Sequence, residues 1–277
     1  MKLLHSANSE AISRFTTSQL RDAFLIESLF VQGKVELTYW ETDRTIIGAA
    51  VPTTAPLKLE AGKKELAADY FLERREIGIL NIGGPGQVEV DGTFHQMGKL
   101  DILYVGKGSK SVSFHSQDSE DPAFFYLLSY PAHSAYPTRL MTKTDATAVD
   151  LGSSEGANRR TIHKYIHADG IKSCQLVMGI TCLKPGSIWN TMPSHTHLRR
   201  SEAYLYFDMA PDTRIIHLMG EPNQTRHLVV ADKQAILSPV WSIHSGAGTA
   251  NYSFCWGMGG ENQDFTDMDA VSMGDLR

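Results

Sequence analysis

Three histidines and one glutamate in the last third of the chain have the residue types and spacing of a metal-binding site. His195 and His197 are separated by one residue, and Glu202 follows five residues after His197. Because residues i and i+2 of a β-strand face the same side, both imidazoles can reach one point. The best candidate for a fourth ligand is His244, which ends an apolar run just before a glycine-rich turn. Three neutral imidazoles and one carboxylate suit zinc, and also iron, manganese or nickel.

The elements around these residues must bring the glutamate back to the histidine pair. The polar run 199–201 is predicted to reverse the chain, after which Glu202, Tyr204 and Tyr206 would share one face of the next strand. This order of ligands, with an isolated histidine about forty residues later, resembles the two metal-binding motifs of the cupins. We therefore expect a metal centre between strands of a β-fold.

Short strands with glycine punctuation dominate the pattern of the chain. Residues 16–25 offer hydroxyl caps followed by Leu20 and Phe24 one turn apart, which predicts a short amphipathic helix. Residues 35–39 alternate, residues 45–48 are apolar, and residues 86–95 contain an Asp-Gly pair between alternating segments, which predicts a β-hairpin. The expected fold class is all-β, of the sandwich or barrel type, with a few short helices.

A faint internal repeat suggests two domains. Residues 101–114 parallel residues 234–254, and the Ser, Thr, Asp and Gly-rich segment 131–155 is the expected connection. We place the boundary near residue 145, which gives an N-terminal domain 1–145 and a C-terminal domain 146–277. The first copy lacks the ligands, so the metal is expected only in the second domain.

Composition favours a small-molecule partner. The chain has 277 residues, 42% hydrophobic and 21% charged, a formal net charge of −5 and no block of Lys or Arg, which argues against nucleic acid or an anionic membrane surface. The first residues are interrupted by polar side chains and no later run approaches a membrane span, so we expect a cytoplasmic protein. The three cysteines, Cys174, Cys182 and Cys255, form no Cys-x-x-Cys pattern, which indicates reduced thiols in a core.

The remaining histidines are weaker candidates. His163 and His167 are four residues apart, but their β-branched neighbours favour a strand, so we interpret them as structural or substrate-contacting rather than as a second metal pair. His217 and His227 flank a predicted turn at residues 220–223 and are open to either a surface or a supporting role.

A more specific resemblance covers nearly the whole chain. The segments that carry it are Asp43-Arg44-Thr45-Ile46-Ile47-Gly48, Arg160-Thr161-Ile162-His163-Lys164-Tyr165-Ile166, Trp189 to His197, Arg199-Arg200-Ser201-Glu202, Met219-Gly220-Glu221-Pro222, Trp241 to Gly246 and Trp256 to Gln263. They resemble the 5-keto-4-deoxyuronate isomerase family. The family's usual alanine before the first metal histidine corresponds to Ser194 here, a mild departure.

That resemblance implies a double cupin fold, a homohexamer, and one zinc held by His195, His197, Glu202 and His244. It also implies conversion of 5-keto-4-deoxyuronate, a uronate from pectin breakdown, into 3-deoxy-2,5-hexodiulosonate. Such an isomerisation moves a proton between adjacent carbons through an enediolate, which a divalent ion stabilises. Two alternatives remain open, an iron-dependent cupin dioxygenase and a cupin that binds a sugar without turnover.

The proton-transfer base and the substrate contacts are less defined by the sequence. Glu202 is a candidate base if one of its oxygens is free, and otherwise a metal-bound water or a nearby Lys, Tyr or His serves. The substrate carboxylate favours a guanidinium fork. Arg160, Arg199 and Arg200 are nearest in sequence to the site-bearing strands, although the last two are equally consistent with solvated turn residues.

Overall fold

Short strands account for most of the regular structure. The computed structural model describes residues 1–60, 62–264 and 266–277. Its helices are α1 Ser9–Ile12, α2 Thr17–Phe24 and α3 Lys63–Leu66, with a 3-10 turn at Thr42–Arg44. The strands of the first half are β1 Lys2–Leu4, β2 Leu25–Ile26, β3 Val35–Trp40, β4 Thr45–Ala50, β5 Leu57–Lys58, β6 Arg75–Asn81, β7 Gly86–Val90, β8 Thr93–Met97, β9 Ile102–Val105, β10 Val112–Ser116, β11 Phe125–Pro131 and β12 Arg139–Met141.

The second half of the chain is also built mainly from short strands. Its strands are β13 Thr147–Leu151, β14 Arg160–Ile166, β15 Val177–Leu183, β16 Trp189–Asn190, β17 His195–Thr196, β18 Arg200–Phe207, β19 Ile215–Glu221, β20 Gln224–Val230, β21 Ala235–Ser238, β22 Ser245–Gly248, β23 Ser253–Gly260 and β24 Asp269–Ala270. The all-β prediction is therefore confirmed. The described strands form open sheets stacked as sandwiches, without closing into a barrel.

The predicted hairpin and helix are both present. β7 and β8 pair with Val90 opposite Thr93, and the two residues between them, Asp91 and Gly92, have φ of 49° and 85°. Positive φ at both central positions is the type I′ geometry whose twist matches that of paired strands. Helix α2 begins after Thr16 and buries Leu20 and Phe24, as its periodicity predicts.

The chain divides into two compact units. The first comprises Met1–Leu4, Ser28–Ala146 and Tyr165–Met178, and the second comprises His5–Glu27, Thr147–Lys164 and Gly179–Arg277. Two segments therefore depart from chain order, since residues 5–27 group with the second unit and residues 165–178 with the first. The simple division at residue 145 stays a prediction.

Both units contain the same pair of sheets. In the first, a seven-stranded sheet has the order β1-β3-β4-β11-β6-β9-β12 and a four-stranded sheet the order β5-β10-β7-β8. In the second, the orders are β13-β14-β15-β23-β18-β21-β2 and β16-β22-β19-β20. The predicted repeat is thus visible in topology, because β9 and β10 occupy the positions of β21 and β22.

Register locates the counterpart of Glu202 in the first unit. Glu202 pairs with Ser238, the last residue of β21, and Ile77 pairs with Val105, the last residue of β9. Ile77 is fully buried in an apolar cluster that also contains Ile79, Leu103 and Val105. An aliphatic side chain fills this position in the first unit, so the position offers no ligand atom there, and the restriction of metal to the second unit stays a prediction.

Among the described residues, no helix is long and apolar enough to cross a membrane.

The N-terminus of α2 generates the first testable prediction. The hydroxyl of Thr16 accepts the Gln19 N–H at 3.3 Å, and the Gln19 side chain accepts the Thr16 N–H at 2.9 Å. Thr16→Ala removes a partner for one end of the helix and should lower the free energy of unfolding by about 1 kcal/mol. Urea titration measures this loss. Ser18→Ala, in the same first turn but outside the reciprocal pair, is the control; an equal loss in both variants contradicts the capping interpretation.

Candidate active site

The four predicted ligands converge in the second unit. The Nε2 atom of His195 lies 3.1 Å from Nε2 of His197 and 3.0 Å from Nε2 of His244. The carboxylate oxygen Oε2 of Glu202 lies 3.3 Å from Nε2 of His197 and 3.1 Å from Nε2 of His244. Residues separated by up to 49 positions in sequence thus direct one atom each to a common point.

Sheet geometry fixes the position of each ligand. Glu202 is the third residue of β18, a strand buried along its whole length, and pairs with Met258 of β23 on one side and Ser238 of β21 on the other. His195 belongs to β17, and His197 follows directly after it, so the two rings extend to the same side. His244 immediately precedes β22. A ligand hydrogen-bonded into the middle of a sheet has little freedom to move, which favours a preformed site.

The predicted chain reversal is one residue shorter than expected. Arg200 and Ser201 already belong to β18, and the turn is made by Leu198 and Arg199. The predicted alignment of Glu202 with Tyr204 and Tyr206 is nevertheless present, because the two tyrosine rings stack 6.1 Å apart on the same face. Starting the strand at Arg200 buries that side chain instead of leaving it in solvent.

The cluster is largely removed from water. His197 and Glu202 are 3% exposed and His244 is 1% exposed. Burial lowers the pKa of His195 to about 3, with His244 and His197 adding to the effect, and burial likewise holds the pKa of His244 well below its ordinary value. Both imidazoles are therefore neutral at physiological pH, which is the protonation state of a metal ligand.

The donor set fits a divalent transition ion. Ligand atoms about 2.0 to 2.2 Å from one ion are separated by about 2.8 to 3.6 Å in tetrahedral or octahedral arrangements, and the four separations here are 3.0 to 3.3 Å. Oε2 of Glu202 is buried and has no hydrogen-bond donor within the described chain. Because Nδ1 of His197 faces a carbonyl oxygen, at most His195 and His244 can carry an Nε2 hydrogen, and two N–H groups satisfy two of these four contacts, whereas one cation satisfies all four.

Groups behind the ligands orient two of the rings. Nδ1 of His197 lies 2.7 Å from the main-chain carbonyl oxygen of Asp267, so this nitrogen carries the hydrogen and Nε2 presents its lone pair to the cluster. Nδ1 of His244 lies 3.3 Å from the Ser238 hydroxyl. Such contacts set the tautomer of a ligating histidine and raise its basicity.

A cavity of about 330 Å³ opens onto the cluster. Its polar lining is sparse, and Arg160 is the strongly basic group among the described residues that form its wall. The other residues that line it are Ile162, Thr181, Thr191, Met192, Pro193, His195, His197, Glu202, Tyr204, Phe254, Trp256, Met258 and Met268. A mainly apolar chamber with ligands at one place and a guanidinium at another suits a small organic anion.

The three predicted arginines have different positions. Arg160, half-buried at the start of β14, lines the cavity, and its Nη1 atom donates to the Asn158 carbonyl at 2.9 Å. Arg199 binds two carboxylates outside the cavity, and Arg200 is 1% exposed and donates to the Asp267 carbonyl at 2.7 Å. Sequence proximity to the site-bearing strands therefore did not distinguish Arg160, which lines the cavity, from Arg199 and Arg200, which do not.

The other histidines lie where the strand interpretation places them. His163 is inside β14, which confirms a strand over a helix. The ring of His217 is fully buried, with Nδ1 2.8 Å from the hydroxyl of Tyr206, and burial lowers the pKa of His217 to about 3. His227 is exposed on β20. His217 thus supports the tyrosine side of the site, whereas His227 is a surface residue.

Asp267 is the functional residue that sequence reasoning missed most clearly. It acts on His197 through a main-chain carbonyl, a group that every residue type carries. The hydrophobic cavity wall was also missed, although Trp256 and Met258 lie in a segment that carries the family resemblance.

Comparisons with known proteins give the family of the chain. The model of the KduI/IolB family matches residues 24–273. A protein of Halalkalibacterium halodurans named 4-deoxy-L-threo-5-hexosulose-uronate ketol-isomerase is 54% identical over 277 residues, which is 100% of both chains.

Solved structures show the fold at low identity. An IolB-like protein from Salmonella typhimurium has a TM-score of 0.74 at 13% identity, covering 90% of this chain and 96% of its own. The oxalate decarboxylase of Lactobacillus farciminis has a TM-score of 0.58 at 10% identity, covering 90% of this chain and 89% of its own. These neighbours and the repeated sandwich confirm the double cupin fold, and the chain belongs to the KduI/IolB family.

Proposed function

We propose that this protein is a metal-dependent ketol-isomerase that converts 5-keto-4-deoxyuronate, also named 4-deoxy-L-threo-5-hexosulose uronate, into 3-deoxy-2,5-hexodiulosonate. The observation that carries the proposal is the convergence of three imidazoles and one carboxylate at a cavity with an arginine in its wall. The name of the full-length relative at 54% identity supports the substrate. The two alternatives, a dioxygenase and a non-catalytic sugar-binding cupin, are not favoured by that relationship.

The proposed metal is one zinc ion per chain, held by His195, His197, Glu202 and His244. Three neutral imidazoles and one carboxylate are a common zinc ligand set, although iron, manganese and nickel accept the same donors. When bound, a divalent ion supplies Lewis acidity to a substrate carbonyl and stabilises the negative charge that develops on oxygen. The first unit has Ile77 at the position of Glu202, so we assign the metal to the second unit alone.

Arg160 is proposed to bind the substrate carboxylate. Its guanidinium retains donors beyond the Nη1 contact with the Asn158 carbonyl, and a guanidinium can hold a carboxylate through two parallel hydrogen bonds. Binding one end of the substrate at Arg160 directs the other end towards the ligand cluster. The apolar walls, including Phe254, Trp256 and Met258, exclude water from the reacting carbons.

The reaction transfers one proton between adjacent carbons and needs no electron acceptor. A C–H bond breaks at the hydroxyl-bearing carbon and another forms at the former aldehyde carbon, while the proton of that hydroxyl moves to the former aldehyde oxygen, so the hydrogens lost at one position equal those gained at the other. Glu202 lines the cavity and is the proposed proton acceptor; because its Oε2 atom faces the histidines, the proton would be taken by the other carboxylate oxygen, Oε1. Tyr204 lines the same wall, and burial raises the pKa of its phenol well above the ordinary value, so it stays a hydrogen-bond donor.

Other properties remain predictions. The resemblance implies a homohexamer and a small uronate as substrate, the charge pattern argues against nucleic acid or a membrane as partner, and the polar first residues led to the prediction of a cytoplasmic protein. The predicted substrate contacts of Arg199 and Arg200 also remain untested, and the proposal does not use them.

Metal content tests the ligand assignment. His244→Ala should remove most of the bound metal, since three remaining ligands leave an open, weakly chelating site. Elemental analysis of purified protein measures this, with about one zinc per wild-type chain as the expected result. His227→Ala is the matched control, because His227 is exposed on β20. Full occupancy in His244→Ala, or an ion bound wholly within residues 1–145, contradicts the assignment.

Turnover tests the reaction. The wild-type protein should isomerise 5-keto-4-deoxyuronate, and Glu202→Gln should lower kcat by roughly a hundred- to a thousandfold, because loss of one charge-stabilising contact costs about 3 to 4 kcal/mol. Global stability should change less, since Glu202 lies at the wall of a cavity rather than within the hydrophobic core. A coupled assay and thermal unfolding separate the two effects. Near-normal activity of Glu202→Gln would overturn the mechanism. Wild-type protein that is loaded with metal but does not convert 5-keto-4-deoxyuronate would overturn the substrate assignment.

Arg160 provides a separate test of substrate orientation. Arg160→Gln should raise KM by about ten- to a hundredfold, since a hydrogen bond to a charged group contributes about 1.5 to 3 kcal/mol. Steady-state kinetics measure the effect, and Arg159→Gln, which removes an exposed arginine from the neighbouring position, is the control. Equal KM values for both variants and wild type would exclude Arg160 from carboxylate binding.

A further inference from the structure

A C-terminal segment lies against the ligand-bearing turn. We call residues 262–264 and 266–272 the strap. Its strand β24 pairs with β17, placing Ala270 opposite His195 and Asp269 opposite Thr196. The Val271 N–H also donates to the Ser194 carbonyl at 3.0 Å. These main-chain contacts are few, since the paired strands have only two residues each.

Arg199 adds side-chain contacts to the strap, beside the Leu198 N–H, which donates to Oδ2 of Asp269 at 3.4 Å. Nε of Arg199 donates to Oδ1 of Asp267 at 2.7 Å, and Nη2 lies 3.1 Å from both carboxylate oxygens of Asp269. Nη2 also contacts Oδ1 of Asp267. One guanidinium therefore binds two carboxylates of the strap, and the side chain of Asp267 is only 13% exposed.

Asp267 of the strap also connects Arg199 to the cluster of predicted metal ligands. The other carboxylate oxygen of Asp267 accepts a hydrogen bond from Asn262, and the carbonyl oxygen of Asp267 lies 2.7 Å from Nδ1 of His197. The same carbonyl accepts a hydrogen bond from Arg200 at 2.7 Å. Asp267 is thus held through its side chain while its main chain fixes the ring of a ligand.

We propose that Arg199 is a positioning residue for the metal site, which holds Asp267 so that its carbonyl keeps His197 in the ligating tautomer and orientation. This inference rests on the proposed function in one respect, that the four-residue cluster binds metal. It gives Arg199 a role distinct from substrate contact. The neighbouring residue of the same chemistry, Arg200, contacts the Asp267 carbonyl but neither strap carboxylate in the hydrogen bonds described.

The geometry distinguishes this contact from an ordinary surface ion pair. Exposed pairs contribute little, because solvent screens them and two flexible side chains must be ordered. Here the fork binds Asp267 through two nitrogens, the carboxylate is mostly buried, and the ordered segment carries a contact to a metal ligand. Partners that orient a ligating histidine typically affect metal affinity by ten- to a hundredfold when removed.

The test measures zinc affinity rather than activity. Wild-type, Arg199→Gln, Arg199→Lys and Asp269→Asn proteins are stripped of metal and titrated with Zn²⁺ against a chromophoric chelator of known affinity. Arg199→Gln should weaken zinc binding by about ten- to a hundredfold. Asp269→Asn should weaken it less, because the Asp267 contact persists. Arg199→Lys should lie between wild type and Arg199→Gln, since an ammonium keeps the charge but cannot form the fork.

Thermal unfolding with and without Zn²⁺ separates positioning from general stabilisation. A positioning role reduces the zinc-induced rise in Tm in Arg199→Gln, whereas a merely structural role lowers Tm equally in both conditions. Arg21→Gln is the matched control, because Arg21 also combines a carboxylate contact, to Glu27, with a main-chain carbonyl contact, to Val229. This control should leave zinc affinity unchanged.

Either of two results would overturn this inference without contradicting the proposed function. One is a zinc affinity of Arg199→Gln equal to that of wild type. The other is a loss of zinc affinity in Arg21→Gln as large as that in Arg199→Gln. If Arg199→Gln does not fold, Asp269→Asn and Arg199→Lys decide in the same way, since unchanged affinity in both contradicts the proposal. Wild-type protein that binds no zinc contradicts the proposed function together with this inference, so the two failures are distinguishable.

Discussion

The close approach of four polar atoms is the constraint on which the site depends. Three imidazole nitrogens and one carboxylate oxygen lie within 4.8 Å of one another in a largely buried position, and four of their separations are 3.0 to 3.3 Å. Hydrogen bonds among three imidazole nitrogens and one carboxylate oxygen cannot satisfy all of these contacts at once, and burial makes unsatisfied polar atoms costly. A shared cation removes this conflict. The surrounding structure must therefore hold the four atoms together and also keep the imidazoles of His195 and His244 neutral, and burial of these two rings meets the second demand.

The scaffold meets the first demand by placing the carboxylate in the middle of a sheet. Glu202 is hydrogen-bonded into β18, between β21 and β23, so its backbone position is fixed on both sides. The histidines come from less regular segments at the sheet margin, and they rely on additional contacts such as the Asp267 carbonyl. The rigid ligand sets the location of the site, and the supported ligands complete it.

Patterns with local causes were predictable from the sequence, whereas contacts between distant polar groups were not. The helix at Thr17–Phe24 and the Asp91-Gly92 hairpin each follow from interactions within a few residues, and the His-x-His spacing follows from the pleat of a strand. The connection between Arg199 and Asp267 joins residues 68 positions apart, so neither residue's own neighbourhood reveals it. Arg160, Arg199 and Arg200 were equivalent candidates in sequence because only tertiary structure distinguishes cavity, surface and core.

The two sandwiches show how one topology carries different chemistry. Ile77 in the first unit and Glu202 in the second occupy matching register positions. Each is paired with the last residue of the neighbouring strand, Val105 of β9 and Ser238 of β21 respectively. An isoleucine there extends the apolar core, since it is fully buried in a cluster of hydrophobic side chains. A glutamate there requires compensating positive charge, because a buried carboxylate without a partner is strongly destabilising. The substitution therefore cannot stand alone: a unit that places a carboxylate at this position must also provide ligands for a cation, and the histidines of the second unit meet that requirement.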